Sequence, residues 1–217
     1  GVVVFDVETT QLIEEDTAPE DMEVAVACAM RLPHDATAAR AKAEAVTRTF
    51  WHETVRRAPR GGEAESVETL LGWMDDARIV VAYNGRAFDM RVMERWYKGD
   101  EERRRAHLAK LHDPMVEAQR VIGRRVKLST LLSLNGLGGK TGTGCDAPRW
   151  WQEGRHAQLE RYCERDVEAL AELVLRDRVR VRRRAHGRAV LLRPLLHPAG
   201  HLLPEDAPGG HAVPRVR

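Results

Sequence analysis

Two acids near the beginning of the chain, Asp6 and Glu8, have the type and spacing to bind divalent cations. They follow an apolar, β-branched run at residues 2–5, which predicts a strand buried on both faces. Side chains two residues apart on a strand point to the same face, roughly 6 to 7 Å apart. The pair therefore suits two adjacent cations, although acids at the end of a strand also occur without a metal.

A second motif, NGRAFD at residues 84–89, follows the apolar run at Ile79–Val81 and contains Asn84, Phe88 and Asp89. The pattern predicts a strand that gives way to a helix. Ligands of open α/β sheets bind beyond the carboxyl ends of the strands, so Asp89 lies where an active site is expected. The alternative is structural, because the helix dipole favours an acid near a helix start and Asn-Gly is typical of turns.

The third motif pairs Tyr162 with Asp166, four residues apart in a segment with helical periodicity. At that spacing both side chains lie on one face of a helix. Val167 and Leu170 bury the neighbouring face, so the pair borders the core. The alternative is a half-buried tyrosine beside an exposed aspartate.

The remaining pattern supplies the elements that must position these side chains. Strands are predicted at residues 22–32 and Val46–Trp51, so that the chain begins as an antiparallel meander. Ser66 is predicted to cap a following amphipathic helix. Further helices are predicted at residues 88–97, 128–134, 148–152 and 156–178. Strands followed by alternating strands and helices predict an α/β fold, a mixed β-sheet flanked by α-helices.

Composition sets limits on the class of protein. With 217 residues, 43% hydrophobic and 31% charged, the chain is typical of one globular domain. A net charge of +2 is too small to indicate nucleic-acid binding by itself, and no apolar run is long enough for a membrane span. The three cysteines show no CxxC spacing, which predicts an intracellular, reducing compartment. The chain opens on Gly1 without an initiator Met, which indicates an excised fragment whose targeting segments cannot be read.

A change of composition predicts the domain boundary. Residues 1–178 form the expected domain, and residues 179–217, rich in Arg, Pro and Gly, are expected to form a basic, flexible tail. The tail is interpreted either as a solvated linker or as an arm that contacts nucleic acid.

Together the three motifs resemble those of the DEDD superfamily of 3′-5′ exonucleases, which has a ribonuclease-H-like fold. The family motifs D-x-E-T, N-x-x-x-F-D and Y-x-x-x-D are similar to residues 6–9, 84–89 and 162–166, in the same order. The third motif resembles the tyrosine subclass, because Arg161 stands where the histidine subclass has its histidine. The likeness spans roughly residues 2–175, and it departs from the family at Gln11, where a glycine is common.

The resemblance implies a centre in which Asp6, Glu8, Asp89 and Asp166 hold two Mg²⁺ or Mn²⁺ ions. Carboxylates suit these ions, which prefer oxygen ligands to nitrogen or sulfur. Tyr162 is then expected to orient the attacking water. A tyrosine hydroxyl, with an ordinary pKa of about 10, is a poor general base at neutral pH.

The resemblance also implies a substrate. Thr9, Asn84 and Phe88 are expected to contact the terminal nucleotide of a single-stranded 3′ end, in DNA or RNA. The implied function is a two-metal 3′-5′ exonuclease that releases nucleoside monophosphates. Two alternatives stay open: a catalytically inactive nucleic-acid-binding module on the same fold, and a structure-selective endonuclease.

Three other features are weaker candidates. Asp113, in an Asp-Pro pair, is interpreted as a turn residue rather than a nearby acid. The glycine-rich loop at residues 136–144, with Lys140, is expected to be mobile and to touch the substrate backbone. Trp150 and Trp151 are interpreted as helix packing residues, with base stacking as the alternative.

Overall fold

A mixed six-stranded sheet organises the computed structural model, which describes residues 1–12, 16–33, 38–138, 145–176, 178–185 and 188–192. The strand order is β4-β3-β2-β1-β5-β6. The strands are β1 (Val2–Thr9), β2 (Val24–Leu32), β3 (Val46–Trp51), β4 (Glu65–Ser66), β5 (Ile79–Val81) and β6 (Leu111–His112). The antiparallel pairing of β1 with β2 and of β2 with β3 confirms the predicted meander.

Helices cover both faces of this sheet. The α-helices are α1 (Ala38–Ala43), α2 (Val67–Asp76), α3 (Asp89–Val92), α4 (Glu101–Lys110), α5 (Pro114–Ile122), α6 (Leu128–Leu134), α7 (Asp146–Gln152) and α8 (His156–Val174), with 3₁₀ turns at Pro19–Asp21 and Glu94–Tyr97. The arrangement is the predicted α/β fold. None of the helices in the described part of the chain is long and apolar enough to cross a bilayer.

The central strand β1 is buried on both faces, as its apolar run predicts. Val2 and Val4 pack in the core beneath α8, whereas Val3 and Phe5 pack in the core beneath α2, and none is more than 1% exposed. Each such side chain contributes about 1.5 to 3 kcal/mol of hydrophobic stabilisation. β1 pairs antiparallel with β2 and parallel with β5, so its register is held from both sides.

Three helices, α1, α4 and α5, lie where the sequence analysis predicts none. Helix α4 buries only His107, so it lacks the apolar periodicity by which a helix is recognised. Helix α5 begins at Asp113-Pro114, where Asp113 is the N-cap and Pro114 occupies the first turn. The Asp-Pro pair was interpreted as a turn, and here it starts a helix because proline is well suited to that position.

Other boundaries differ in smaller ways. The helix predicted over residues 88–97 is divided at Met93 into α3 and a 3₁₀ turn, and α8 ends at Val174 rather than at residue 178. Ser66 is the N-cap of α2 by position, but its side chain makes no capping hydrogen bond. Its backbone already belongs to β4, where it pairs with Trp51.

Part of the expected tail forms a hairpin. Strands β7 (Val179–Ala185) and β8 (Arg188–Leu192) pair antiparallel, so these residues differ from the flexible tail expected from residue 179 onward. Val179 and Val181 are buried in the same core as the valines beneath α8, β7 lies against α6, and the Arg180 backbone exchanges two 2.8 Å hydrogen bonds with the Asn135 side chain. The alternation of valine with arginine fits a strand with one buried face. Residues 193–217, the rest of that tail, lie outside the described residues.

Candidate metal centre

Three of the four predicted acids meet at one point on the sheet. Asp6 and Glu8 belong to β1, on the face that α8 covers, and Asp166 belongs to α8. One ligand oxygen from each acid lies within 4.8 Å of those of the other two. Asp166 is only 3% exposed, so the alternative of an exposed aspartate at this position is wrong.

Cys163, which the sequence analysis did not associate with the site, holds α8 against β1. Its Sγ lies 3.6 Å from the Asp6 carbonyl oxygen and 3.9 Å from Asp6 Oδ2, and the residue is fully buried. Burial, and then the charge of Asp6, raises the pKa of the thiol, so it stays protonated and can donate to Asp6. Its position three residues before Asp166 on one helix was the available clue.

The fourth acid, Asp89, lies beside the group of three. The backbone N–H of Val7 donates to Asp89 Oδ1 at 3.0 Å. Val7 stands between Asp6 and Glu8 in β1, so this bond fixes the start of α3 beside those two acids. Asp89 is 2% exposed. Burial, followed by the charge of Asp6, raises its pKa well above the ordinary value, although backbone N–H groups act in the opposite direction. Asp6 and Asp89 therefore interact electrostatically.

A tight turn delivers Asp89 to this place. Asn84 has a φ of 66°, and its carbonyl oxygen accepts hydrogen bonds from the N–H groups of Ala87 (3.1 Å) and Phe88 (3.0 Å). Gly85 is required because a Cβ atom there would lie 2.4 Å from the Cβ of Ala82. The Asn-Gly pair thus has the structural role that the alternative interpretation gave it, and it also precedes an acid of the site.

Tyr162 is on the same helix as Asp166 and is 3% exposed. Its ring meets the Trp150 ring edge to face, with 5.4 Å between centroids. A cavity of about 250 Å³ adjoins it and is lined by Trp150, Gln158, Arg161, Tyr162 and Arg165. Trp150 is buried, as the packing interpretation predicts, whereas Trp151 is half-buried and stacks on His156 with 5.0 Å between centroids.

Two of the predicted substrate-contact residues, Thr9 and Phe88, have packing roles of their own. Thr9 is buried, and its hydroxyl donates to the Gln11 carbonyl oxygen at 2.8 Å, next to a register shift in β1 at Glu8/Thr9. Phe88 is half-buried against the core beneath α2. The roles of both in substrate binding stay predictions. Lys140 and residues 139–144 of the glycine-rich loop lie outside the described residues.

The donor set suits hard divalent cations. Asp6, Glu8 and Asp166 offer only carboxylate oxygens, which Mg²⁺ and Mn²⁺ prefer. Two ionised carboxylates at 4 Å repel each other by about 1 kcal/mol even in bulk water, and by more when partly buried. The cluster of like charges and a bound cation thus account for each other.

Comparisons with known proteins agree with this fold. Two solved structures are similar to the chain at 13% identity with a TM-score of 0.50: the family B DNA polymerase from the hyperthermophilic archaeon Pyrobaculum calidifontis, and exonuclease I. The likeness covers 80% of this chain in both cases but only 24% of the polymerase and 40% of exonuclease I. A search of curated proteins finds no match. The RNase_H superfamily model matches residues 3–176, and the chain therefore belongs to the RNase_H superfamily.

Proposed function

We propose that this protein is a metal-dependent 3′-5′ exonuclease that hydrolyses phosphodiester bonds at single-stranded ends and releases nucleoside monophosphates. The observation that carries the proposal is the convergence of Asp6, Glu8 and Asp166, whose ligand oxygens lie within 4.8 Å of one another. Segments almost the whole domain apart in sequence supply these acids. Membership of the RNase_H superfamily supports the same reaction class.

Each residue has a role that its place on the fold permits. The four acids would hold two Mg²⁺ or Mn²⁺ ions, which would stabilise the charge that develops on the scissile phosphate. Asp89, fixed by the Val7 N–H, completes the negatively charged wall of the site. Tyr162 orients the attacking water through its hydroxyl, while its ring packs on Trp150. Hydrolysis joins the water oxygen to phosphorus and breaks the bond between phosphorus and the leaving oxygen.

The preference for a 3′ end rests on the resemblance of the three motifs to the tyrosine subclass of exonucleases. Exonuclease I, one of the similar structures, is an exonuclease by name. Phe88 immediately precedes Asp89 and is half-buried, so we propose that the exposed part of its ring contacts the terminal base. A frayed terminal nucleotide costs less to unstack than an internal one, which favours cleavage from the end.

An inactive nucleic-acid-binding module is the alternative from another functional class. Loss of catalysis in such a module would be expected to accompany loss of an acid or of the tyrosine, and here all five residues are present. The exonuclease is therefore the better supported function.

The proposal is tested with purified protein and single strands of DNA and of RNA labelled at either end. With Mg²⁺ or Mn²⁺ we expect a 3′ label to appear first as a mononucleotide and a 5′-labelled strand to shorten as a ladder. EDTA should stop the reaction, and a bulky block on the 3′-hydroxyl should slow it. Efficient cleavage of a closed circular single strand would instead support the endonuclease.

Variants connect this activity to the acids. Asp6→Asn, Asp89→Asn and Asp166→Asn should each abolish cleavage, while the melting temperature without metal holds or rises because like-charge repulsion is relieved. Asp76→Asn is the matched control, because Asp76 is exposed and pairs with Arg31 on the surface. An acid variant that unfolds, or that cleaves at the wild-type rate, would remove that residue from the site.

A further inference from the structure

Asp113 makes more contacts than its role as a helix cap requires. Its Oδ1 accepts a hydrogen bond from the Met115 N–H at 3.0 Å, which caps α5. The residue is only 7% exposed, although ionised side chains that do nothing but cap a helix are usually solvated. The same oxygen has a second donor, and this donor lies in the turn that leads to the metal centre.

That second donor is the backbone N–H of Asn84, 2.9 Å from Asp113 Oδ1. Asn84 begins the turn that ends at Asp89, and its φ of 66° is in the left-handed region, which asparagine adopts more readily than most residues with a side chain. Arg125 holds the same residue from its other side, since its Nη2 donates to Asn84 Oδ1 at 2.6 Å.

The other carboxylate oxygen of Asp113 points to an electrostatic role. Oδ2 is buried and has no hydrogen-bond partner among the described residues. Its carboxylate is bonded to the first residue of the turn that ends at Asp89, so a charge on Asp113 lies one turn away from the metal centre. A buried negative charge near other acids is costly without a cation.

We propose that Asp113 is a positioning residue of the metal centre, which holds the Asn84 turn so that Asp89 faces the cation and adds a negative charge behind it. This inference rests on the proposed metal-dependent nuclease. Asp113 is not assigned as a ligand, because its Oδ1 already accepts from two backbone N–H groups, those of Asn84 and Met115. It acts through Asn84 and through its charge.

The chain offers a matched control in Asp100. Asp100 is the N-cap of α4, where its Oδ1 accepts from the Arg103 N–H at 3.0 Å, but it is exposed. We therefore compare Asp113→Asn and Asp113→Ala with Asp100→Asn and Asp100→Ala. Asparagine preserves a capping oxygen and removes the charge, whereas alanine removes both.

Two measurements separate positioning from capping: Mn²⁺ binding by calorimetry, and the melting temperature in EDTA. Asp113→Asn should melt near the wild-type temperature but bind Mn²⁺ about tenfold more weakly, within the range for residues that support metal ligands. Asp113→Ala should melt at a lower temperature and bind Mn²⁺ at least as weakly. Asp100→Ala should also melt earlier, yet bind Mn²⁺ as the wild type does.

The possible failures differ. If both Asp113 variants bind Mn²⁺ as tightly as the wild type, Asp113 is only a cap and the inference is wrong. If the wild-type protein itself neither binds Mn²⁺ nor cleaves nucleic acid, the proposed function fails, and the positioning role fails with it. If Asp113→Asn binds Mn²⁺ normally and Asp113→Ala binds it weakly, Asp113 does hold the Asn84 turn. The claim that its negative charge supports the cation would then be wrong.

Discussion

At the scale of single residues, a substitution at Tyr162 can remove a chemical group from the site without changing how the ring packs. Its ring is buried against Trp150, so Tyr162→Phe should preserve the fold and remove only the hydroxyl. We expect the cleavage rate at saturating metal to fall by about 10²- to 10⁴-fold, the range for groups that position or transfer a proton. Mn²⁺ affinity should be unchanged.

Tyr97→Phe is the control for this variant. Tyr97 is also buried, and its hydroxyl is 2.8 Å from His107 Nδ1 in the core beneath α2, on the other face of the sheet. Its loss should reduce stability and leave the cleavage rate unchanged. Normal turnover by Tyr162→Phe would return Tyr162 to a structural role.

A substitution at Arg161 tests whether the cavity beside Tyr162 binds a substrate phosphate. The residue is exposed and lines that cavity together with Arg165. If a substrate phosphate occupies the cavity, Arg161→Ala should weaken nucleic-acid binding. The slope of log K against the logarithm of the salt concentration should become shallower by about one. Arg105→Ala, which alters an exposed arginine of α4, should change neither quantity.

At the scale of elements, the hairpin β7–β8 should contribute to stability. A chain that ends at residue 178 loses the buried Val179 and Val181 and the two hydrogen bonds to Asn135. Burial of two valines contributes about 3 kcal/mol or more, so the denaturation midpoint in urea should fall clearly. A chain that ends at residue 192 keeps the hairpin and should retain the wild-type midpoint, as the tail expected at residues 193–217 predicts. Equal midpoints for the two shortened chains would contradict a structural role for the hairpin.

At the scale of the whole molecule, the acids should couple stability to pH and to metal. The folded-state pKa of Asp89 is raised by burial and by Asp6, so Asp89 favours the fold while it is protonated. That contribution is lost as the pH rises through the raised pKa, beginning above the ordinary Asp value of about 4. In EDTA the melting temperature of the wild type should therefore fall relative to that of Asp89→Asn as the pH rises. Mg²⁺ or Mn²⁺ should reverse the loss by binding the folded state.

The comparison with Asp89→Asn is necessary because other groups titrate in the opposite sense. Burial lowers the pKa of His112 to about 4, and such a group costs stability as the pH falls below the ordinary histidine range. The difference between the two proteins cancels this contribution. A difference that does not change with pH would show that Asp89 is ionised in the folded state without metal.

Local pattern alone predicted much of this protein. The run at residues 2–5, the Asp6/Glu8 alternation and the Tyr162/Asp166 spacing depend on periods of two and of about four residues, which a short window contains. The faces of β1 and α8 that carry these acids follow from the same periods. Helix α4 and the hairpin were not predicted, because one is almost entirely exposed and the other lies in an arginine-rich segment.

Only the tertiary structure decided which of these residues meet. Val7 and Asp89 are 82 residues apart in sequence, and Asp6 and Cys163 are 157 apart. Their contacts depend on how α3 and α8 pack against β1, which no local pattern contains. Asp113 is the clearest case, since its sequence indicated a turn and its fold places one oxygen between two backbone donors, Met115 and Asn84. The amino-acid sequence thus determines the identity and order of the acids. Packing between distant segments determines the distances between them, on which metal binding depends.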